Sequence, residues 1–188
     1  PIPIKGGGQY QAKVWEFGCM SDRIMSTRNF NVGYSICLAG EYKSGGVCTK
    51  CPTGRYRTTQ GGNALSDCAQ CGKGKYGQSG QTGATASSHC TNCAAGKYSS
   101  STGRNTPCTS ECKAGHYGTA GATSDSCTGK CSAGKYGSKG QTTSSCSGNC
   151  QSGYYCTAGS SSATQNPCGG DSKYCPSGSA SAKNVPAG

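Results

Sequence analysis

The chain predicts small disulfide-rich modules in a linear tandem array, built from short β-ribbons and loops with almost no helix. Three observations carry that expectation. The phrase Cys-x-x-Gly-x-Tyr occurs seven times, opening at Cys37, Cys51, Cys71, Cys93, Cys112, Cys131 and Cys150. Its starts lie 14 to 22 residues apart, the period of a repeat protein. Seventeen cysteines stand among 188 residues, while Leu, Ile, Val and Phe together number 12, about 6% of the chain against roughly 20% at the low end of globular domains. Cross-links must therefore replace apolar burial, each contributing on the order of 2–4 kcal/mol.

Residues 1–36 form an N-terminal arm or cap. They hold the single Trp, both Phe and both Met. Pro1, Pro3 and Gly6–Gly8 predict an extended lead-in, and the alternation in QYQAKVWEF predicts a short strand. The segment is too short to bury its aromatics alone. It caps the first module, or it docks onto another copy by adding a strand to an exposed edge, with Trp15 and Phe17 as the assembly contact. Residues 37–150 are six tandem Cys-rich repeats. Each reads Cys-x-x-Gly-x-Tyr, then a loop rich in Gly, Ser and Thr, then a second cysteine shortly before the next repeat. The glycines of the phrase are expected in turns of positive φ. Ala, Leu and Glu are too sparse for helices. Residues 150–188 read as a variant repeat with extra cysteines, and CPSG at Cys175 reads as the start of a further repeat. The start at Pro1 and the end at NVPAG suggest a mature or trimmed piece of a longer secreted protein.

Spacing alone does not dictate connectivity, but a module with two cysteines can close itself. This predicts Cys37–Cys48, Cys51–Cys68, Cys71–Cys90, Cys93–Cys108, Cys112–Cys127 and Cys131–Cys146. In the tail it predicts Cys150–Cys168 and Cys156–Cys175. Cys19 is left over, a candidate for an intermolecular bond. The rival is zinc, because Cys48-x2-Cys51-x16-Cys68-x2-Cys71 has a four-cysteine spacing. Later doublets widen to three intervening residues, and every doublet would have to serve two neighbours, so no metal or other cofactor is assigned. Serial CxxC pairs in Gly/Ser loops argue against redox catalysis.

The formal charge is +11, spread along the repeats. Arg55, Lys75, Lys97 and Lys135 fill the slot between Gly and Tyr. Such a stripe keeps the protein soluble or attracts anionic polysaccharide or glycans. No basic-aromatic interleaving suggests nucleic acid. His116 fills the Lys/Arg slot and His89 sits in a Ser-rich loop. No Ser/His/Asp arrangement can be assembled around them, so no catalytic residue is assigned and the chain reads as a non-enzyme. No stretch approaches the roughly 20 apolar residues of a membrane span. Ser and Thr number 45 and cluster in the loops, without an N-glycosylation sequon. Ser99, Ser100, Ser101, Thr102, Thr142, Thr143, Ser160, Ser161 and Ser162 are therefore candidates for O-linked sugar.

The phrase with its second cysteine and C-x2-3-C junction, over roughly residues 37–175, resembles the cysteine-rich repeats of ephrin-receptor-like and tumour necrosis factor receptor-like ectodomains. That resemblance implies pairing of the first cysteine with the next. The tail GYYCTAGSSSATQNPC (Gly153–Cys168) resembles tandem repeats of large protist surface and extracellular-matrix proteins, including mastigoneme-like components. The expected function is that of a secreted structural protein, a stapled rod assembling with copies of itself into a fibre or surface coat. The alternative is a ligand- or glycan-binding ectodomain of a receptor or adhesin.

Overall fold

The structure, a computed structural model, describes residues 36–186. Over that span the chain is a series of eight modules, each built on one two-stranded antiparallel ribbon. The first ribbon pairs β1 (Glu41–Ser44) with β2 (Val47–Lys50). The next three pair β3 (Arg55–Tyr56) with β4 (Ala69–Gln70), β5 (Lys75–Gly77) with β6 (Cys90–Asn92), and β7 (Lys97–Tyr98) with β8 (Ser110–Glu111). Then follow β9 (His116–Tyr117) with β10 (Gly129–Lys130) and β11 (Lys135–Tyr136) with β12 (Gly148–Asn149). The last two are β13 (Tyr154–Tyr155) with β14 (Asn166–Pro167), and β15 (Lys173–Tyr174) with β16 (Lys183–Asn184). Helix among the described residues is confined to single 3-10 turns at Leu65–Asp67 and Ser87–His89.

Sulfur forms the core. Among the described residues the buried hydrophobic side chains are cysteines and one alanine, Ala84. Disulfides join Cys37–Cys48, Cys51–Cys68, Cys71–Cys90, Cys93–Cys108, Cys112–Cys127 and Cys131–Cys146, with Cα–Cα distances of 5.2–5.8 Å. The four cysteines of the zinc-like spacing are thus spent in three separate bridges.

The tail differs from the expected pairing. Cys150 joins Cys156 and Cys168 joins Cys175, in place of Cys150–Cys168 and Cys156–Cys175. The reason lies in the slot just after the ribbon tyrosine. A Cβ added to Gly118 there would lie 2.5 Å from Cys112 Sγ, and one added to Gly137 would lie 2.6 Å from Cys131 Sγ. A cysteine in that slot reaches its module's opening cysteine directly, and Cys156 and Cys175 both follow the tyrosine. Meanwhile the position two residues before the second strand, held by Cys108, Cys127 and Cys146 in earlier modules, is Thr164 before β14. The further repeat consequently opens at Cys168, and CPSG belongs to its loop.

The first module is also distinct. Its strands are joined by Gly45–Gly46 alone, at φ 57° and 84°, a tight hairpin turn that leaves no room for the long loop of its sisters. The second module holds its loop with arginines. Arg55 Nη1 donates to the Cys68 carbonyl at 3.0 Å, and Arg57 donates to the carbonyls of Gln60 (2.9 Å) and Asp67 (3.1 Å).

Candidate functional site

The junction between modules recurs along the series. Three positions of a module meet its successor: the opening cysteine, the glycine of the phrase, and the residue after the tyrosine. The successor answers with a Gly-x dipeptide in its loop. The dipeptide's glycine N–H donates to the preceding module's opening cysteine carbonyl, from Gly61 to Cys37 at 2.8 Å through Gly178 to Cys150 at 2.9 Å. The residue after the tyrosine donates to the carbonyl of the dipeptide's second residue, as Arg57 does to Ala84 (2.9 Å) and Cys156 to Ser179 (2.9 Å). Both bonds form at all seven junctions. At each junction the successor's opening cysteine N–H also finds the carbonyl of the phrase glycine, as Cys131 finds Gly115 at 2.8 Å; after β16, Val185 N–H finds the Ser172 carbonyl at 2.9 Å. At about 0.5–1.5 kcal/mol per net bond, each junction contributes a few kcal/mol beyond the disulfide.

The phrase glycines make a longer-range contact. All seven have positive φ, between 71° and 85°. A Cβ on Gly40, Gly54, Gly74, Gly96, Gly115 or Gly134 would collide with the backbone carbonyl of a loop glycine two modules on, Gly83, Gly103, Gly121, Gly140, Gly159 and Gly178 respectively. Each of the first six modules is therefore keyed to its neighbour and to the next but one, through backbone with no side chain between.

The ends of the series break this pattern. The loopless first module has no Gly-x dipeptide to offer a predecessor. At the other end, Gly153 is exposed with nothing within 4 Å of an added Cβ, where its six predecessors are buried. The Cys168 carbonyl and the Cys175 N–H have no backbone partner among the described residues. Tyr174 is 44% exposed, whereas the eight preceding ribbon tyrosines are half-buried. Val185 stands where earlier ribbons hand over to an opening cysteine. Of the six exposed large hydrophobics among the described residues, Ile36, Leu38 and Val47 lie on the first module and Tyr174 and Val185 on the last; Leu65 alone lies between.

One ribbon face is basic. Directly opposed residues of an antiparallel pair share a face. The pairs Glu41/Lys50, Arg55/Gln70, Lys75/Asn92, Lys97/Glu111, His116/Lys130, Lys135/Asn149 and Lys173/Asn184 place seven cations there against two carboxylates. The second member of every such pair is exposed. Ion pairs among the described residues are confined to Arg57–Asp67 (3.9 Å) and Lys113–Asp125 (3.8 Å), neither of which involves this face. The Asp67 carboxyl is held below its usual range by the backbone N–H groups of Asn63 (2.8 Å) and Ala64 (3.2 Å), with Arg57 adding a smaller effect.

Trp15, Phe17 and Cys19 lie outside the described residues. Two sugar candidates are corrected. Ser99 is 3% exposed and Ser160 is fully buried, their hydroxyls bonded to the Ser101 and Thr157 carbonyls at 3.1 and 2.8 Å. Both are junction residues, Ser99 after a tyrosine and Ser160 in a Gly-x dipeptide, so neither can carry a sugar in the folded chain. Ser100, Ser101, Thr102, Thr142, Thr143, Ser161 and Ser162 are exposed. His116 Nδ1 lies 3.4 Å from the Ala114 carbonyl, and His89 Nδ1 lies 3.1 Å from that of Ala86. No helix of the described residues is long and apolar enough to cross a membrane.

No protein-family model matches the chain, and no curated protein matches it.

Proposed function

We propose that this is an extracellular structural protein, a disulfide-stapled series of modules that assembles end to end into a fibre or surface coat. The observation that carries the reading is the repetition itself: one sulfur-cored module recurs eight times, and one set of backbone bonds recurs at all seven junctions. A contact between unlike ends that does not close into a ring propagates as an open filament. Eight disulfides fit an oxidising compartment. The arm supplies Trp15 and Phe17 as apolar anchors, and Cys19 supplies a covalent lock between copies. The exposed Ser and Thr of the loops offer regular sites for O-linked sugar. Sedimentation velocity from about 1 to 100 µM, with negative-stain microscopy, tests the reading. Multimers growing with concentration into filaments are expected; a strict monomer throughout refutes it.

The basic ribbon face favours a second reading, as a surface for anionic polysaccharide. Binding to a sulfated polysaccharide should then weaken steeply between 50 and 200 mM salt, as it does when several cations displace condensed counterions. Salt-independent binding, or none, removes this reading.

A further inference from the structure

We propose that the bridges Cys112–Cys127 and Cys131–Cys146 are thiol-exchange sites, where a low-molecular-weight thiol forms a mixed disulfide with Cys127 or Cys146 and loosens the series at one joint. Cys93–Cys108, Cys112–Cys127 and Cys131–Cys146 each span 15 residues, so loop closure stabilises the three alike. Their second cysteines differ. Cys108 is 3% exposed, whereas Cys127 and Cys146 are half-buried. Cys127 and Cys146 are also the two non-glycine residues at positive φ among the described residues, both at 50°. The local chain accounts for this. The Cys127 and Cys146 N–H groups close turns on the Ser124 and Thr143 carbonyls, both at 3.0 Å. The very next N–H groups, of Thr128 and Ser147, reach the Tyr117 and Tyr136 carbonyls of the first strand at 3.0 and 2.9 Å. The cysteine between takes the left-handed conformation that joins turn to ribbon. Before Cys108 the chain runs instead through Pro107, and Arg104 donates to the Thr106 and Pro107 carbonyls at 3.4 and 2.9 Å.

Left-handed backbone disfavours an L-residue, and a cysteine freed from its bridge relaxes, which favours opening by about five- to thirtyfold. Strained or accessible bridges are the labile ones. Both modules are followed by two others within the described residues, so their exposure is not that of a series end. Burial directs the attack. Cys112 and Cys131 are fully buried, so the incoming thiolate attacks Sγ of Cys127 or Cys146. A new S–S bond forms there and the old one breaks. The electron pair leaves on Sγ of Cys112 or Cys131, which takes a proton from water. The consequence reaches the junctions. The loop closed by Cys112–Cys127 holds Gly121–Ala122, bonded to the Cys93 carbonyl (2.9 Å) and the Ser99 N–H (3.1 Å). The loop closed by Cys131–Cys146 holds Gly140–Gln141, bonded to the Cys112 carbonyl and the Gly118 N–H, both at 2.9 Å. Exchange therefore releases two consecutive junctions while the modules on either side keep their bridges.

The test equilibrates the full chain in glutathione redox buffers of rising thiol content until bridges open, alkylates the free thiols with iodoacetamide and maps peptides without reduction. The ratio of squared thiol to disulfide that half-opens either bridge should be at least about fivefold lower than for Cys93–Cys108. Glutathione should be found on Cys127 and Cys146, and the alkyl label on Cys112 and Cys131. Amide exchange at Gly121 and Gly140 should then quicken by about tenfold or more, with Gly61 unchanged. Cys48 and Cys168 serve as controls, being half-buried without positive φ. If Cys37–Cys48 or Cys168–Cys175 opens first, exposure alone decides and the proposal is overturned. Opening of Cys93–Cys108 together with the other two, glutathione on Cys112 or Cys131, or junction amides unmoved by thiolation each overturns it as well.

Discussion

Replacing Gly115 by alanine tests whether modules are keyed to their next-but-one neighbours. Gly115 has φ +77°, and its added Cβ would collide with the Gly159 carbonyl two modules away. An L-residue forced to positive φ costs on the order of 1–2 kcal/mol. Relief of the collision requires Gly159 to withdraw, and its N–H then loses the Cys131 carbonyl at 2.9 Å. That adds about 1–3 kcal/mol, according to how far the separated groups are re-solvated. The sum is roughly 2–5 kcal/mol, concentrated between the modules opened by Cys112 and Cys150. Two controls separate the contributions. Gly153→Ala in the dilute monomer carries the dihedral cost (φ +83°) with nothing within 4 Å, about 1–2 kcal/mol. Gly72→Ala has neither burden and should be close to neutral. Amide exchange at Gly159, with all disulfides intact, reads the effect locally, and each 1.4 kcal/mol appears as about a tenfold acceleration. Gly115→Ala should accelerate it by roughly 30- to 1,000-fold or more, while Gly72→Ala leaves it unchanged. If Gly115→Ala leaves Gly159 exchanging at its original rate, or costs no more than Gly153→Ala, the next-but-one contact is absent and the stacking order is wrong.

Three further outcomes follow from the same geometry. Non-reducing digestion with chymotrypsin, which cuts after Tyr154 and Tyr155, should leave Cys150 and Cys156 peptides linked; a Cys150–Cys168 species would restore the interleaved tail pairing. Mild reduction should abolish protease resistance along the series, because loops of 11 to 19 residues each lose about 3 kcal/mol of cross-link stabilisation, and unchanged resistance would show that sulfur is not the core. Asp67 gains its backbone bonds only as a carboxylate, so its folded pKa is lowered. Its contribution is present above the unfolded value near 4 and is lost as pH falls through the lower folded value. Asp67→Asn should remove that acid sensitivity from amide exchange at Asn63 and Ala64; an identical profile in wild type and variant refutes it.

The ribbons were legible because Cys-x-x-Gly-x-Tyr combines two unusual demands, a cross-link and a positive φ, in a fixed order. The phrase glycines Gly40 to Gly153 occupy such turns. The junction was not legible, because its specificity resides in backbone. Gly83, Gly121 or Gly159 looks like ordinary loop filler in a chain with 32 glycines. Only alignment on the tyrosine shows that a Gly-x pair recurs downstream of each one from Tyr56 onward. The same alignment would have found the tail pairing. After the tyrosine of the third to sixth modules come Gly77, Ser99, Gly118 and Gly137, all small, and then Cys156 and Cys175. The burial of Ser99 and Ser160 is hidden for the same reason, since a serine in a run of serines gives no sign of which hydroxyl is buried.

This arrangement bears on how such a chain tolerates length. Each module closes its own disulfide, so cross-linking is local and adds about the same stabilisation per repeat. The backbone junctions, by contrast, are shared, and every added module satisfies groups that its predecessor left open. A series of this kind has a direction. From Gly40 to Gly134 the phrase glycines lie under loops of later modules, and each opening cysteine carbonyl from Cys37 to Cys150 accepts from the module after it. The stabilisation of a repeat therefore depends on the two repeats that follow it, and damage to one loop is felt towards the N-terminus.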